Sequence, residues 1–334
     1  MRYHEGTRLA VHLKEHTMET RSFGNTGISV TALGIGTLTM SPLQRGLAPS
    51  EGARVILAAL ERGVRFVDTA QMYGSYPHVA LALADWGGET ITVTTKSTAR
   101  TSTEMLAAIE QARQEMNLDI IDGFLLHAVR GAEDLQERES AIEALQKAKE
   151  RGVVRAIGAS THSVNALQVL VDDPRIEILH PIVNQVGFGI LDAGLDETMR
   201  LLTRAKSLGK GVYAMKAMGG GHLRHRSVEV LHWALTQKQI DAAAVGMTSL
   251  DEVEMNVAIA EKRPISDELM QRVSSQSRKL FVNEALCKGC GECVRFCEHE
   301  ALNIEGGKAH PNPRRCVLCG YCAPHCPHFA IRVI

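Results

Sequence analysis

Phe66-Val67-Asp68-Thr69-Ala70-Gln71-Met72-Tyr73-Gly74 is a short apolar run that ends on a carboxylate and breaks into a turn. A run of three or four apolar residues without polar alternation suits a strand covered on both faces, as in a parallel sheet. Working outward, similar runs recur at 32–36, 91–95, 121–126, 156–159, 182–185, 211–215 and 242–245. Longer stretches of helical period lie between them, for example 103–116 with Ser102 as its cap, and 140–151 ending at Gly152. Eight strands alternating with helices predict an α/β chain with a parallel sheet. Positions 18–282 approach the roughly 250 residues of a closed (β/α)8 barrel. A doubly wound sheet would need a glycine-rich turn opening a helix, and Gly34-Ile35-Gly36 is not followed by the third glycine. Residues 21–30, Arg21-Ser22-Phe23-Gly24-Asn25-Thr26-Gly27-Ile28-Ser29-Val30, read as an N-terminal hairpin that plugs the barrel floor.

Chemistry in such a barrel sits where strands end. The stretch 66–74 ends on Asp68 and Tyr73, the third strand on Lys96 and the fourth on His127. Each alone has a plain reading, as a helix cap, a loop aromatic, a solvated charge or a core histidine. The four together, in this order, resemble the tetrad of the aldo/keto reductase family. The resemblance implies carbonyl reduction or alcohol oxidation on a small molecule, with a nicotinamide dinucleotide. Tyr73 would then donate the proton, Lys96 would lower its pKa, Asp68 would orient Lys96, and His127 would position the substrate oxygen. It also implies nicotinamide contacts from Ser160, Gln185 and Met215, a pyrophosphate contact or a solvated rim charge at Lys216, and an adenosine-phosphate segment with Gly246, Glu252 and Asn256. Gly246 and Glu252 stand where basic residues would grip a 2′-phosphate, which implies NAD in preference to NADP.

All eight cysteines of the 334-residue chain fall between positions 287 and 326. They form two copies of C-x2-C-x2-C-x3-C, namely Cys287, Cys290, Cys293, Cys297 and Cys316, Cys319, Cys322, Cys326, the second 29 positions after the first. Ala301, Leu302 and Ile304 repeat as Ala330, Ile331 and Val333 at the same offset, so the segment is a duplication. Disulfides or zinc sites are alternatives, but zinc knuckles rarely use this spacing and disulfides belong to exported chains. Residues 283–334 resemble a bacterial ferredoxin with two 4Fe-4S clusters, a small α+β domain. The resemblance implies crossed ligation: Cys287, Cys290, Cys293 and Cys326 for one cluster, Cys316, Cys319, Cys322 and Cys297 for the other. Glu298 stands where Pro327 stands in the second copy, and is expected to loosen a turn or lower a cluster potential.

Lys+Arg 37 against Asp+Glu 38 leaves a net charge of -1. That balance, without a basic block, points away from nucleic acid. No apolar stretch approaches the roughly 18 residues of a membrane span. Residues 1–17 read as a flexible arm or as a start placed too early, with Met18 opening the regular segment; they do not read as a signal peptide, and a reducing cytoplasm is expected. His222 and His225 are expected to be solvated loop residues. Because a nicotinamide moves two electrons and a cubane one, four functions stand open. The clusters exchange electrons with an external carrier or tune a reductase site; they are structural; the barrel is a scaffold for an electron-transfer protein; or the tetrad serves an elimination or proton transfer with an internally cycling nicotinamide.

Overall fold

The computed structural model of the chain describes residues 18–274 and 278–334; the arm expected at 1–17 lies outside them. A hairpin of β1 (Thr20–Ser22) and β2 (Ser29–Thr31) precedes eight parallel strands. These are β3 (Leu33–Gly36), β4 (Phe66–Asp68), β5 (Thr92–Ser97), β6 (Ile121–Leu126), β7 (Val154–Thr161), β8 (Ile178–Pro181), β9 (Gly211–Ala214) and β10 (Ala242–Gly246). Each pairs with the next, and β10 returns to β3 with Gly246 opposite Gly36, closing the barrel. Helices follow the strands and bury their apolar faces on the outside of the sheet. The hairpin seats Phe23, Ile28 and Val30 under the barrel against Phe66, Leu125 and Ile178. Phe23, Phe66 and Tyr213 meet edge to face, with ring centroids 5.2–5.9 Å apart, a geometry that matches positive ring edges to negative faces.

Most element bounds shift by a residue or two from the sequence reading, and two differences have a physical reason. The sixth strand is Ile178–Pro181, not 182–185. Its last residue is a proline, which cannot donate to the ladder but still accepts from Met215 N at 2.9 Å. The helix Ser102–Met116 starts at Ser102 because Thr101, not Ser102, is the cap: its hydroxyl accepts from Glu104 N, and the Glu104 carboxylate accepts from Thr101 N.

The small C-terminal module repeats its backbone bonding as it repeats its cysteines. Cys287 N donates to Asn283 O at 2.9 Å and Cys316 N to Asn312 O at 3.0 Å. Ala301 N points at Cys297 Sγ and Ala330 N at Cys326 Sγ, both at 3.3 Å. Strands β11 (Leu280–Val282) and β14 (Ile331–Val333) join its two ends, and β12 (Leu302–Glu305) and β13 (Lys308–Pro311) form a hairpin. The strand just before residue 283 thus belongs to the module's sheet.

The module sits over the C-terminal mouth of the barrel. Gly220 and Gly320 allow the backbones to touch: a Cβ on Gly220 would lie 2.3 Å from Val317 O, and one on Gly320 would lie 2.5 Å from Leu43 O. Gln44 Nε2 donates to Leu318 O at 2.8 Å, and His222 Nε2 lies 2.7 Å from Cys316 O. His222, expected in solvent, is therefore a docking residue, because the loop that carries it is covered by the module. Glu298 is clasped by Arg130 Nε at 2.9 Å and His162 Nδ1 at 3.1 Å. Its place in the duplicated motif thus serves attachment to the barrel. Both partners hold the Glu298 carboxyl down to about 2 against the burial that would raise it.

Phe23→Ala should cost about 3–5 kcal/mol of stability, the usual range for emptying an aromatic site in a closed core. Chemical denaturation followed by far-UV circular dichroism measures it.

Candidate active site

Asp68 ends β4, Lys96 lies in β5, and His127 follows β6 directly. Tyr73 comes from the turn Gln71–Tyr73, which Gly74 closes in the left-handed region at φ 64°. The β4–β5–β6 register carries these groups to one end of the barrel. All four are buried.

The centre is the Asp68 carboxylate. Its Oδ1 accepts from Lys96 Nζ at 2.6 Å, Tyr213 OH at 2.8 Å and Thr94 Oγ1 at 2.9 Å. Burial works against ionising Asp68, but the Lys96 ammonium and the hydrogen bonds from Lys96 and Tyr213 outweigh it and hold the carboxyl below its ordinary range. Lys96 also donates to Thr69 O at 2.8 Å, and burial draws its pKa down against the pull of Asp68. His180 stacks on Tyr213 at 3.7 Å, with its Nε2 3.8 Å from Asp68 Oδ2. Burial leaves His180 neutral, with its pKa lowered to about 3.

The expected lowering of the Tyr73 pKa is absent. Burial first, and then the Asp68 charge, push it above the usual phenol value. Lys96 Nζ stands 5.4 Å from the Tyr73 ring centre and donates to Asp68. Tyr73 is thus held as the protonated acid. His127 is held neutral by burial and by Lys96.

A cleft of about 1430 Å3, counted with its open mouth, runs from this centre across β9 and β10. Met215, Lys216, Gly246, Glu252 and Asn256 line it, with Tyr73 and Asp68. Ser160 and Gln185 do not. The Ser160 hydroxyl accepts from Ala128 N at 2.9 Å, tying the strands together, and Gln185 accepts from Arg226 at 3.2 Å. The half-buried Lys216 interacts electrostatically with Cys319, Cys316 and Glu298, so it faces the module. Glu252 does not stand as a bare negative charge. Arg278 pairs with it at 2.9 Å, and Thr248 N and Oγ1 also donate to its carboxylate. Thr39 Oγ1 and Asn256 Oδ1 line the same cleft, buried without a hydrogen-bond partner among the described residues. Those open polar atoms fit an elongated polar ligand such as a dinucleotide.

Sequence reasoning missed Tyr213, His180, Arg278 and Tyr321. Tyr213 lies two residues before Met215, and so on the same face of one strand, which was a usable signal. His180 was hidden by the misplaced sixth strand. Nothing local marks Arg278 or Tyr321, whose partners lie 26 and 194 residues away.

In the module the eight thiols are free and line two separate cavities. Cys287, Cys290, Cys293 and Cys326 border one of about 290 Å3, and Cys297, Cys316, Cys319 and Cys322 border one of about 450 Å3. These are the crossed sets. Among the described residues no three such groups converge as they would on a single metal ion. Four thiols on each cavity, with backbone N–H groups aimed at sulfur, fit iron–sulfur cubanes.

Comparison with known proteins agrees with both halves. Residues 32–230 match the aldo/keto reductase family, and residues 286–330 match the 4Fe-4S dicluster domain. An aldo-keto reductase of Mycolicibacterium smegmatis is 31% identical over 204 residues, covering 57% of this chain and 70% of that protein. L-galactose dehydrogenase of Arabidopsis thaliana is 23% identical over 282 residues, covering 72% and 88%. The solved structure of an aldo-keto reductase from Bacillus halodurans superposes with a TM-score of 0.60 at 21% identity, covering 77% of this chain and 96% of that one.

Asp68→Asn should destabilise the protein by about 3–5 kcal/mol, because it removes the counter-charge of a buried ammonium. Urea denaturation compared with Asp68→Asn/Lys96→Met should show the double variant recovering part of the loss.

Proposed function

The chain belongs to the aldo/keto reductase family, and on that premise we propose that it reduces the carbonyl group of a small molecule, or oxidises the corresponding alcohol. The cleft would hold a nicotinamide dinucleotide, and the two thiol sets would hold two 4Fe-4S clusters. One observation carries this reading: a single oxygen atom, the Tyr321 hydroxyl, sits 2.9 Å from His127 Nε2, on a ring packed against the cluster that holds Tyr73. An oxygen at that point is within reach of an acid and of a neutral imidazole, the two groups that a carbonyl oxygen needs.

When bound, the nicotinamide would supply or accept a hydride, and each cluster one electron. The chain's own residues do the rest. Tyr73 holds a proton at its hydroxyl, since burial keeps the phenol intact. As negative charge develops on the substrate oxygen, that proton passes from Tyr73, and the phenolate left behind lies beside the Lys96 ammonium. Asp68 keeps Lys96 in place. His127, with Nε2 directed at the same point, orients the oxygen. Met215, Gly246 and Asn256 along the cleft would receive the dinucleotide. NAD is favoured over NADP: Gly246 offers no charge, and Arg278 is already held by Glu252. The module would exchange electrons with an external carrier or tune the site, in a cytoplasmic protein whose partners include neither nucleic acid nor membrane. Among the described residues no helix is long and apolar enough to cross a membrane.

Tyr73→Phe should abolish aldehyde reduction, a loss of at least a hundred-fold, while the dinucleotide Kd stays within two-fold, because the phenolic proton is needed only as charge forms. Retained turnover would instead leave the barrel as a scaffold. Iron and sulfide analysis should find about eight irons. Cys326→Ser should disturb the cluster of Cys287, Cys290 and Cys293, and not the sequence-adjacent set, as read by electron paramagnetic resonance. Dissociation constants should favour NAD over NADP. Glu252→Gln, by releasing Arg278, should shift the ratio toward NADP by about ten-fold, since a charge-assisted contact is worth roughly 1.5–3 kcal/mol.

A further inference from the structure

Tyr321 belongs to the module, yet its hydroxyl lies inside the barrel. It sits 2.9 Å from His127 Nε2, and Tyr73 lines the same cleft beside it. The ring meets the His127 imidazole edge to face at 5.7 Å and packs among Leu43, Ala70 and Tyr73. These are the two groups that the proposed reaction assigns to the substrate oxygen. Two oxygens cannot share that point.

We infer that Tyr321 is an internal occupant of the substrate-oxygen position, an autoinhibitory contact through which the module closes the reductase site. The inference rests on the reductase reading above. Its novelty is that a phenol from the other domain must leave before a carbonyl can bind.

The geometry makes the contact a latch and not a casual neighbour. Tyr321 lies between Cys319 and Cys322, both in the second thiol set, so a cluster held there fixes the backbone that carries the ring. Gly320, at φ 77°, brings that backbone against Leu43. Gln44 holds Leu318 from below, and Arg130 with His162 holds Glu298 from the side. The dinucleotide cleft stays open beside the latch, with Tyr321 as one of its walls. Cofactor binding and substrate binding are therefore separable: the first needs no movement, the second needs the ring displaced. One neutral hydrogen bond and the packed ring together correspond to roughly ten-fold in the ratio of closed to open. A carbonyl ligand binds more weakly by the same factor.

The test uses the cluster-loaded full chain and 4-nitrobenzaldehyde as the probe. Its binding to the NAD+-loaded protein, where no reduction can occur, is measured by calorimetry for the wild type, Tyr321→Phe and Tyr321→Ala. Iron content is checked in each. Tyr321→Ala should bind the probe at least ten-fold more tightly, and Tyr321→Phe, which keeps the packing and loses only the oxygen, should bind it tighter than wild type. NAD+ affinity should stay within two-fold in both. With NADH, the gain should fall on KM. Unchanged probe affinity in both variants overturns the latch. If Tyr321→Ala loses iron, Tyr321→Phe decides by the same criterion. Tighter probe binding without any reduction by either variant supports the latch and rejects the reductase reading, which separates the two failures.

Discussion

A carboxylate sealed inside a protein must be met by donors, and Asp68 shows how far that requirement reaches. Three donors converge on one of its oxygens, and they come from β5 and β9, on either side of the barrel interior. Lys96 is the only charge among them, and without it Asp68 would carry the full cost of burial. Burial and the Asp68 charge keep the proton on Tyr73, and burial with the Lys96 charge keeps His127 neutral. The same carboxylate binds Tyr213, whose ring reaches down to Phe23 of the hairpin. The floor of the barrel and the chemistry at its mouth are thus parts of one packed column.

The module changes what the barrel can do by covering its mouth. Contacts between the two include backbone against glycine, a carboxylate clasped by Arg130 and His162, and the Tyr321 hydroxyl. Glu298 illustrates the consequence of divergence within a duplicated motif. Its counterpart Pro327 has no side-chain charge to offer, so the carboxylate that Arg130 and His162 clasp occurs in the first copy alone. The duplication therefore makes two cysteine sets alike while the residues between them serve different neighbours.

Much of this was legible from the chain alone, for local reasons. Strands read as apolar runs because both faces are covered, and Asp68, Tyr73, Lys96 and His127 could be found because strand ends in a barrel point to a common face. The cysteine sets were legible because a cubane imposes short, fixed spacings. The sixth strand was misplaced because Pro181 reads as a terminator, although a proline at the last ladder position loses only a donor that β8 does not need there. Ser160 and Gln185, which the resemblance assigns to the nicotinamide, lie outside the cleft and accept hydrogen bonds from Ala128 N and Arg226.

Sequence by itself determined the barrel, the small module and the identity of the groups at the strand ends, since periodicity and spacing are properties of neighbouring residues. Tertiary structure alone decided the charge state of those groups and their neighbours. Whether Glu252 is bare or paired depends on Arg278, brought back from beyond the barrel's last helix. Whether Tyr73 is an activated or an intact phenol depends on its burial and on the Asp68 charge beside it. Whether the oxygen site is open depends on Tyr321, 194 residues from its partner His127. Electrostatics and hydrogen bonding act through space at a few ångströms, and distances across a folded chain are not written in its order.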